Sequence, residues 1–282
     1  GSKYWMHTRD GKTGPFDDWA FPKAMAKDAG TMMYVLRSGE TSRVQIGSQS
    51  RGPYSFVTQP GITADGRHFG YFAQEQNITY AYIDDTRFGP YNTFGSLCFA
   101  PSGNAWAYTA RSNAGWKWFI YSEGFEAGPF DMIGGAPLFT PDGKTLVFAA
   151  QTGKEWFIHR GKTAWGPYDG FDKITWFPAK QEFVYQMRKG NGFYVCVGAE
   201  KTGPYAKFGD IFKLSDDGES LLYTAQLADG WYVFCDETKT GPFDEIIRVD
   251  FIDGTHHVAV RGRVKLEAKL YLDGKLLAGG RP

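Results

Sequence analysis

The tetrapeptide Gly-Pro-Phe/Tyr-Xaa recurs at Gly14, Gly52, Gly89, Gly128, Gly166, Gly203 and Gly241. Successive copies stand 38, 37, 39, 38, 37 and 38 residues apart. Self-similarity at a period of about 20–50 residues is the mark of solenoids, propellers and arrays, in which each unit buries its apolar faces only by stacking on its neighbours. The period runs nearly end to end with no Pro/Ser linker or charge block between copies, so residues 3–282 are expected to form one domain. Gly1-Ser2, without a Met, reads as a scar of cloning.

Residues 137–173 give the clearest unit. A short apolar run, Leu138-Phe139, meets the turn Pro141-Asp142-Gly143, and a strand-length run follows from Thr145 to Ala150. A Gly-containing break then leads to Trp156-Phe157-Ile158-His159, a further turn, and Gly166-Pro167-Tyr168-Asp169. Aromatic and β-branched runs of about 4–8 residues bounded by Asp-Gly and Gly-Pro read as strands in hairpins. The unit is therefore four strands, A to D, joined by turns of about 2–5 residues. Asp-Gly recurs at Asp65, Asp217 and Asp253, where Gly supplies positive φ and Asp bonds back to nearby N–H groups. Proline lacks an N–H and belongs on an edge strand, which places Gly-Pro-Phe/Tyr on strand D with its ring packed inward. Aromatics at 17% suit such short strands and tight turns. The expected fold is all-β: a seven-bladed β-propeller of four-stranded antiparallel blades.

The termini allow two closures. Tyr4–His7 and Gly14–Asp17 match strands C and D of a blade that lacks A and B. The favoured reading pairs them with the C-terminal A–B strands, Val249–Phe251 and His257–Val260, as a clasp. The alternative lets the hairpin 267–280 complete the seventh blade and leaves residues 3–20 as half a blade.

The turns Thr140-Pro141-Asp142-Gly143-Lys144, Ala100-Pro101-Ser102-Gly103-Asn104 and Ser215-Asp216-Asp217-Gly218-Glu219 resemble the Ser-Pro-Asp-Gly-Lys hallmark of WD40-like, TolB-type bacterial propellers, the PD40 repeats. Lys154-Glu155-Trp156-Phe157 and Lys201-Thr202-Gly203-Pro204-Tyr205 are similar to a subgroup with tandem Gly-Pro-Tyr/Phe-Asp repeats. The resemblance covers nearly the whole chain and is specific for fold. It implies a bacterial protein of the periplasm or cell envelope, and a role as an interaction platform or as an accessory domain beside a hydrolase or outer-membrane module.

Residue chemistry points the same way. Lys+Arg and Asp+Glu are equal at 31 each, so nothing favours a nucleic-acid backbone. No apolar run reaches the roughly 18 residues of a membrane span. Cys98, Cys196 and Cys235 lack disulfide or zinc spacing. No Gly-Xaa-Ser-Xaa-Gly elbow is present, and Ser215-Asp216-Asp217-Gly218 lacks the spacing of a sialidase Asp box. The carboxylate pairs Asp84-Asp85 and Asp17-Asp18 lie in or beside turns, where solvated residues are the rule. The five histidines do not fall into ligand spacing, and His256 and His257 alternate faces of an expected strand.

One pattern exceeds what turns require. Three residues after an aromatic or apolar residue, each strand B ends on Arg or Gln: Arg37, Gln74, Arg111, Gln151, Arg188, Gln226 and Arg261. These side chains would ring the face where B–C and D–A loops open around a channel mouth. They can tie backbone carbonyls between blades, or present donors to a carboxylate-bearing or peptide ligand, for which the planar guanidinium fork is suited. Lys213 and Asp250 replace Ala24, Gly61, Cys98, Leu138 and Thr175 at the inward position of strand A, and are expected to pair near the channel. Trp116 and Trp165 are the candidates for exposed aromatics.

The reading is a monomeric, non-catalytic interaction scaffold that binds a protein, peptide or small anionic ligand through the channel-mouth face. It carries no catalytic residue, metal site or cofactor. The competing reading is a propeller enzyme acting on carbohydrate or a lactone, with or without a metal.

Overall fold

A computed structural model describes residues 3–8, 11–16, 22–25 and 31–280. The described chain is all-β, with seven four-stranded antiparallel sheets spanning 22–54, 56–91, 93–130, 132–168, 170–205, 207–243 and 245–280. These are numbered sheets 1 to 7, and the strands of each are lettered A to D in chain order. Sheet 4 is representative: Met132–Phe139, Leu146–Thr152, Glu155–Arg160 and Thr163–Tyr168. This is the architecture of a seven-bladed β-propeller chain. The residues form two compact units, 1–166 and 167–282.

Within each unit the apolar cores lie between consecutive sheets. In the first unit, Met33 and Val44 of sheet 1 cluster with Tyr71 and Ala73 of sheet 2, and Ala107 and Ile120 of sheet 3 with Leu146 and Phe148 of sheet 4. In the second, Val184 and Val195 of sheet 5 meet Leu221 and Tyr223, while Leu222 and Val233 of sheet 6 meet Val258 and Val260. Both faces of a middle strand are therefore buried, so strand B reads as a continuous apolar run (Tyr71-Phe72-Ala73) and not as an alternation.

The repeat motifs account for the local geometry. In the A–B turn, the Thr140 hydroxyl donates to Asp142 Oδ1 at 2.6 Å and accepts the Thr145 N–H, while the same carboxylate accepts the Lys144 N–H at 3.0 Å. Thr63 with Asp65 and Ser215 with Asp217 repeat the arrangement. Gly143 sits at φ +72°, and a Cβ there would lie 2.0 Å from Asn104 Oδ1 of the preceding sheet. In the C–D turn, Asp84, Asp236 and Asp273 accept the first N–H of strand B, from Phe69, Leu221 and Val258.

Strand D lies at the edge of each sheet, where proline costs no ladder hydrogen bond. Its terminal aromatic turns inward: Tyr54, Phe130, Tyr205 and Phe243 are all buried. The fourth residue of the motif explains itself as well. Asp131 Oδ2 accepts the Gly153 N–H, and Asp169 Oδ2 the Gly190 N–H, so the motif's Asp pins the B–C turn of the following sheet.

Two expectations are corrected. Sheet 7 is completed by its own hairpin: Glu267–Leu272 pairs along Val258–Val264, and Lys275–Gly280 pairs with Glu267–Leu272. The N-terminal strands Tyr4–Thr8 and Gly11–Phe16 pair with each other as a separate two-stranded sheet. Among the described residues neither N-terminal strand pairs with sheet 7, and a hairpin turning at Asp273-Gly274 closes a far shorter loop than pairing of the chain ends requires. The D–A connections are also shorter than expected. A single residue, such as Asp131 or Ala206, separates strand D from the next strand A, and its N–H bonds to the carbonyl at the end of strand B. Asp17-Asp18 lie outside the described residues.

Candidate functional site

Register fixes which loops share an edge. Phe56 pairs with Gln74, Gln74 with Thr79, and Thr79 with Tyr91, so the start of A, end of B, start of C and end of D lie together in sheet 2. The same register holds in sheets 3, 5 and 6. The predicted Arg and Gln residues of sheets 1 to 6 sit on this edge.

In the first unit, Arg37 Nε donates to the Gly39 carbonyl at 3.2 Å and closes its own B–C turn. Arg111 Nε donates to the Trp116 carbonyl at 2.6 Å, with its guanidinium 4.9 Å from the Trp116 ring centroid. The backbone carbonyl of Gln74 accepts the Ser55 N–H, and that of Gln151 the Asp131 N–H. In the second unit, Arg188 donates to the Asp169 carbonyl at 3.4 Å, and the Gln226 carbonyl accepts the Ala206 N–H. The arginines thus tie carbonyls of the turn beside them, and the Gln main chain ties the D–A junction.

Sheet 7 needs a register correction. The residue whose carbonyl accepts the junction N–H, here from Asp244, is Arg263, which also pairs with Glu245 at 2.5 Å. Arg261 lies two residues earlier on the same strand face, opposite Arg248 and Leu270. Its count from the preceding apolar residue misled because sheet 7 has Val260 where other sheets place an aromatic.

Lys213 and Asp250 stand on strands A of sheets 6 and 7, and the Lys213 ammonium donates a hydrogen bond to Asp250 Oδ1. That bond holds the Asp250 carboxyl below its ordinary range. Both side chains keep substantial contact with solvent.

His68, His256 and His257 serve the turns. His68 Nδ1 lies 2.9 Å from Asp84 Oδ2, and His257 Nδ1 lies 2.6 Å from Asp273 Oδ2, equivalent places in sheets 2 and 7. His256 Nε2 is 3.0 Å from Asp217 Oδ2. His256 and His257 precede strand B (Val258–Val264) and do not alternate on it. His159 stacks on Phe148 at 4.6 Å between ring centroids. Among the described residues, no three of His, Cys, Asp and Glu are grouped as a metal-ligand set.

The exposed apolar residues add what the sequence left unmarked. In the first unit Trp116 is 58% exposed, Met132 52%, Phe56 50% and Ile78 42%. Phe56 and Met132 open strands A, and Ile78 and Trp116 lie at B–C turns, so all four share the edge that carries Arg111, Gln74 and Gln151. Of the large exposed apolar side chains described in that unit, Trp5 alone lies elsewhere. Trp165, also a candidate, is half-buried. Phe56 and Met132 were hidden because strand A was expected to begin later; their place directly after the Gly-Pro motif was the signal.

In the second unit the same edge carries a cavity of about 470 Å³ between sheets 5 and 6, lined by Arg188, Gln186, Phe171, Phe193, Lys207 and Asp210 among others.

No family model matches the sequence, and no curated protein does. Among solved structures, the chain is similar to the β-propeller domain of the Trilobed protease from Pyrococcus furiosus, at 14% identity over 92% of this chain and 97% of that one, with a TM-score of 0.44. It is similar to oligogalacturonate lyase from Vibrio parahaemolyticus at 10% identity, over 89% and 88% of the two chains, TM-score 0.40. TolB from Acinetobacter baumannii is similar at 16% identity, over 89% of this chain and 63% of that one, TM-score 0.33. The structural neighbours of this chain are thus TolB and other β-propeller-containing proteins of mixed activity.

Proposed function

We propose that the chain is a non-catalytic binding module that receives a protein or peptide on the edge formed by strand A starts and B–C turns. One observation carries this reading: in the first unit, Phe56, Ile78, Trp116 and Met132 are all exposed on that edge, interspersed with Arg111, Gln74 and Gln151. Apolar anchors among hydrogen-bonding groups are the composition of a recognition surface, whereas exposed apolar residues scattered singly need no explanation. Trp and Arg are also the residues that most often dominate binding energy. The Arg111 guanidinium is already seated by Trp116, so it is pre-organised to meet a carboxylate.

The test is a thermal-shift and titration screen against a peptide library rich in acidic and apolar residues. Binding to the native state alone raises the unfolding midpoint by mass action. Hits are expected to weaken at least tenfold in Trp116→Ala and in Met132→Asp, with Arg111→Ala affecting acidic peptides most. Hits indifferent to all three variants, or a screen without hits, would remove the reading.

A further inference from the structure

Sheet 5 contains a polar group that the fold does not use. Gln186 lies mid-strand in the apolar run Phe183–Met187 and is 1% exposed, yet its Nε2 is buried without a hydrogen-bond partner. At the equivalent position sheets 3 and 6 carry Thr109 and Thr224, whose hydroxyls accept strand A N–H groups of Ser96 and Ile211. Sheets 2 and 4 carry Phe72 and Ala149 there. A buried amide left unpaired keeps its full desolvation penalty with no hydrogen bond to offset it, so an unexplained one in a native interior calls for a reason.

Gln186 lines the 470 Å³ cavity between sheets 5 and 6, a volume within the ordinary range of small-molecule sites, about 300–1,000 Å³. Met187 beside it is also buried, while Phe171, Phe193 and Phe208 are half-buried and give the cavity apolar walls. Four exposed charges line it too, two of each sign: Arg188 and Lys207 against Asp172 and Asp210.

We propose that this cavity binds a free α-amino acid with an apolar side chain. The lining supplies what each part of such a zwitterion requires. The ligand carboxylate faces Arg188 and Lys207, and the Gln186 amide donates to it once that side chain turns out of the packing that seals its Nε2. The ligand ammonium faces Asp172 and Asp210, and the side chain packs on the phenylalanine rings. A simple anion would meet two uncompensated carboxylates, and a simple cation two uncompensated bases, whereas a zwitterion matches both. The inference stands apart from the proposed edge of the first unit, because none of its residues belongs to that unit.

Isothermal titration of the full chain with L-phenylalanine and L-leucine tests it, with N-acetyl-L-phenylalanine and L-phenylalaninamide as blocked controls. Either free amino acid is expected to bind, and each blocked form to bind at least tenfold more weakly. Gln186→Leu fills the same space without the orphaned amide, so it is expected to unfold at a higher temperature than the parent while losing at least tenfold in affinity. If Gln186→Leu does not fold, Gln186→Glu puts a negative charge against the ligand carboxylate and is expected to abolish binding. The proposal is overturned if neither amino acid binds, if blocked and free forms bind alike, or if the Gln186 variant that folds binds as the parent does.

Discussion

The phenol oxygens of Tyr54 and Tyr71 lie 2.8 Å apart, joining the last residue of strand D in sheet 1 to the middle of strand B in sheet 2. The pairing recurs as Tyr91 with Tyr108 at 2.7 Å, Tyr168 with Tyr185 at 3.4 Å and Tyr205 with Tyr223 at 2.8 Å. Where the motif carries Phe130, its neighbour in the next sheet is Phe148, at 5.8 Å between ring centroids. In these four pairs a hydroxyl on one partner comes with a hydroxyl on the other, and Phe130, which has none, meets Phe148, which has none. The physical cause is burial. Tyr71, Tyr108 and Tyr185 are at most 1% exposed, so a lone phenol O–H would be stranded away from water.

This relationship predicts a non-additive mutant cycle. Tyr54→Phe and Tyr71→Phe are each expected to cost about 1–2 kcal/mol, because each leaves the other hydroxyl unpaired. The double variant is expected to be close to the parent, as the natural Phe130–Phe148 pair suggests, giving a coupling of about 1–2 kcal/mol. Urea unfolding of the four proteins measures it. Additive single effects would show that the hydroxyls do not act as a pair.

The glycine of the repeated motif combines a positive φ with no room for a side chain. Gly128 has φ +143°, and a Cβ there would fall 2.6 Å from the Phe119 ring and 2.9 Å from the Trp118 carbonyl. Gly128→Ala is expected to destabilise by about 1–3 kcal/mol from backbone strain, with the ring contact adding to it. Gly153→Ala is the comparison: its φ is +64° but nothing lies within 4 Å, so it carries strain without the clash and is expected to cost less. Equal losses at both positions would assign the whole effect to φ.

These two features show why the architecture was legible and the site less so. Gly-Pro-Phe/Tyr and Asp-Gly are local devices whose geometry depends on the few residues they contain, so the first marks strand D of sheets 1 to 6 and Asp253-Gly254 marks the A–B turn of sheet 7. The ends of the chain depend on long-range choice, and the favoured clasp lost to a hairpin that any local turn can close. The edge residues were half legible. Arg111 and Arg188 were visible as long side chains at strand ends, but whether each ties a carbonyl or faces a ligand is set by turns such as Trp116 with φ +56°. Phe56 and Met132 carried no mark because strand A was expected to begin several residues further along the chain. Gln186 was passed over because one polar residue in an apolar run carries no period, and its orphaned amide exists only once two sheets pack.

The turn carboxylates predict how the fold meets acid. Asp65, Asp142 and Asp217 are held below their ordinary value of 3.8, first by the hydroxyls of Thr63, Thr140 and Ser215, then by the N–H groups of Arg67, Lys144 and Glu219. A depressed native pKa means that the ionised form is favoured by folding. The stabilisation is present above the unfolded-state value and is lost as pH falls through the lower native one. The thermal midpoint is therefore expected to drop as pH falls below about 4. A triple Asp→Asn variant at these positions keeps the accepting oxygen and is expected to flatten that limb. An unchanged acid limb in the variant would place the acid sensitivity elsewhere.

His159 supplies a separate, milder acid response. Its ring stacks on Phe148 with an interplanar angle of 7° and lies 5.3 Å from Phe130, and burial lowers its pKa from the ordinary 6.5. Folding thus favours the neutral imidazole. The stabilisation is full above the unfolded-state value, near 6.5, and is lost as pH falls through the depressed native value. His159→Phe keeps a planar ring in the stack and removes the proton. At pH 7.5 it is expected to change stability by less than about 1.5 kcal/mol, as a near-isosteric swap does. Between pH 6.5 and 5 it is expected to lose less stability than the parent, so that the difference between the two unfolding free energies widens in the variant's favour. Chemical unfolding at pH 7.5, 6 and 5 gives the answer, and parallel pH profiles for the two proteins would show that His159 titrates alike in the folded and unfolded chain.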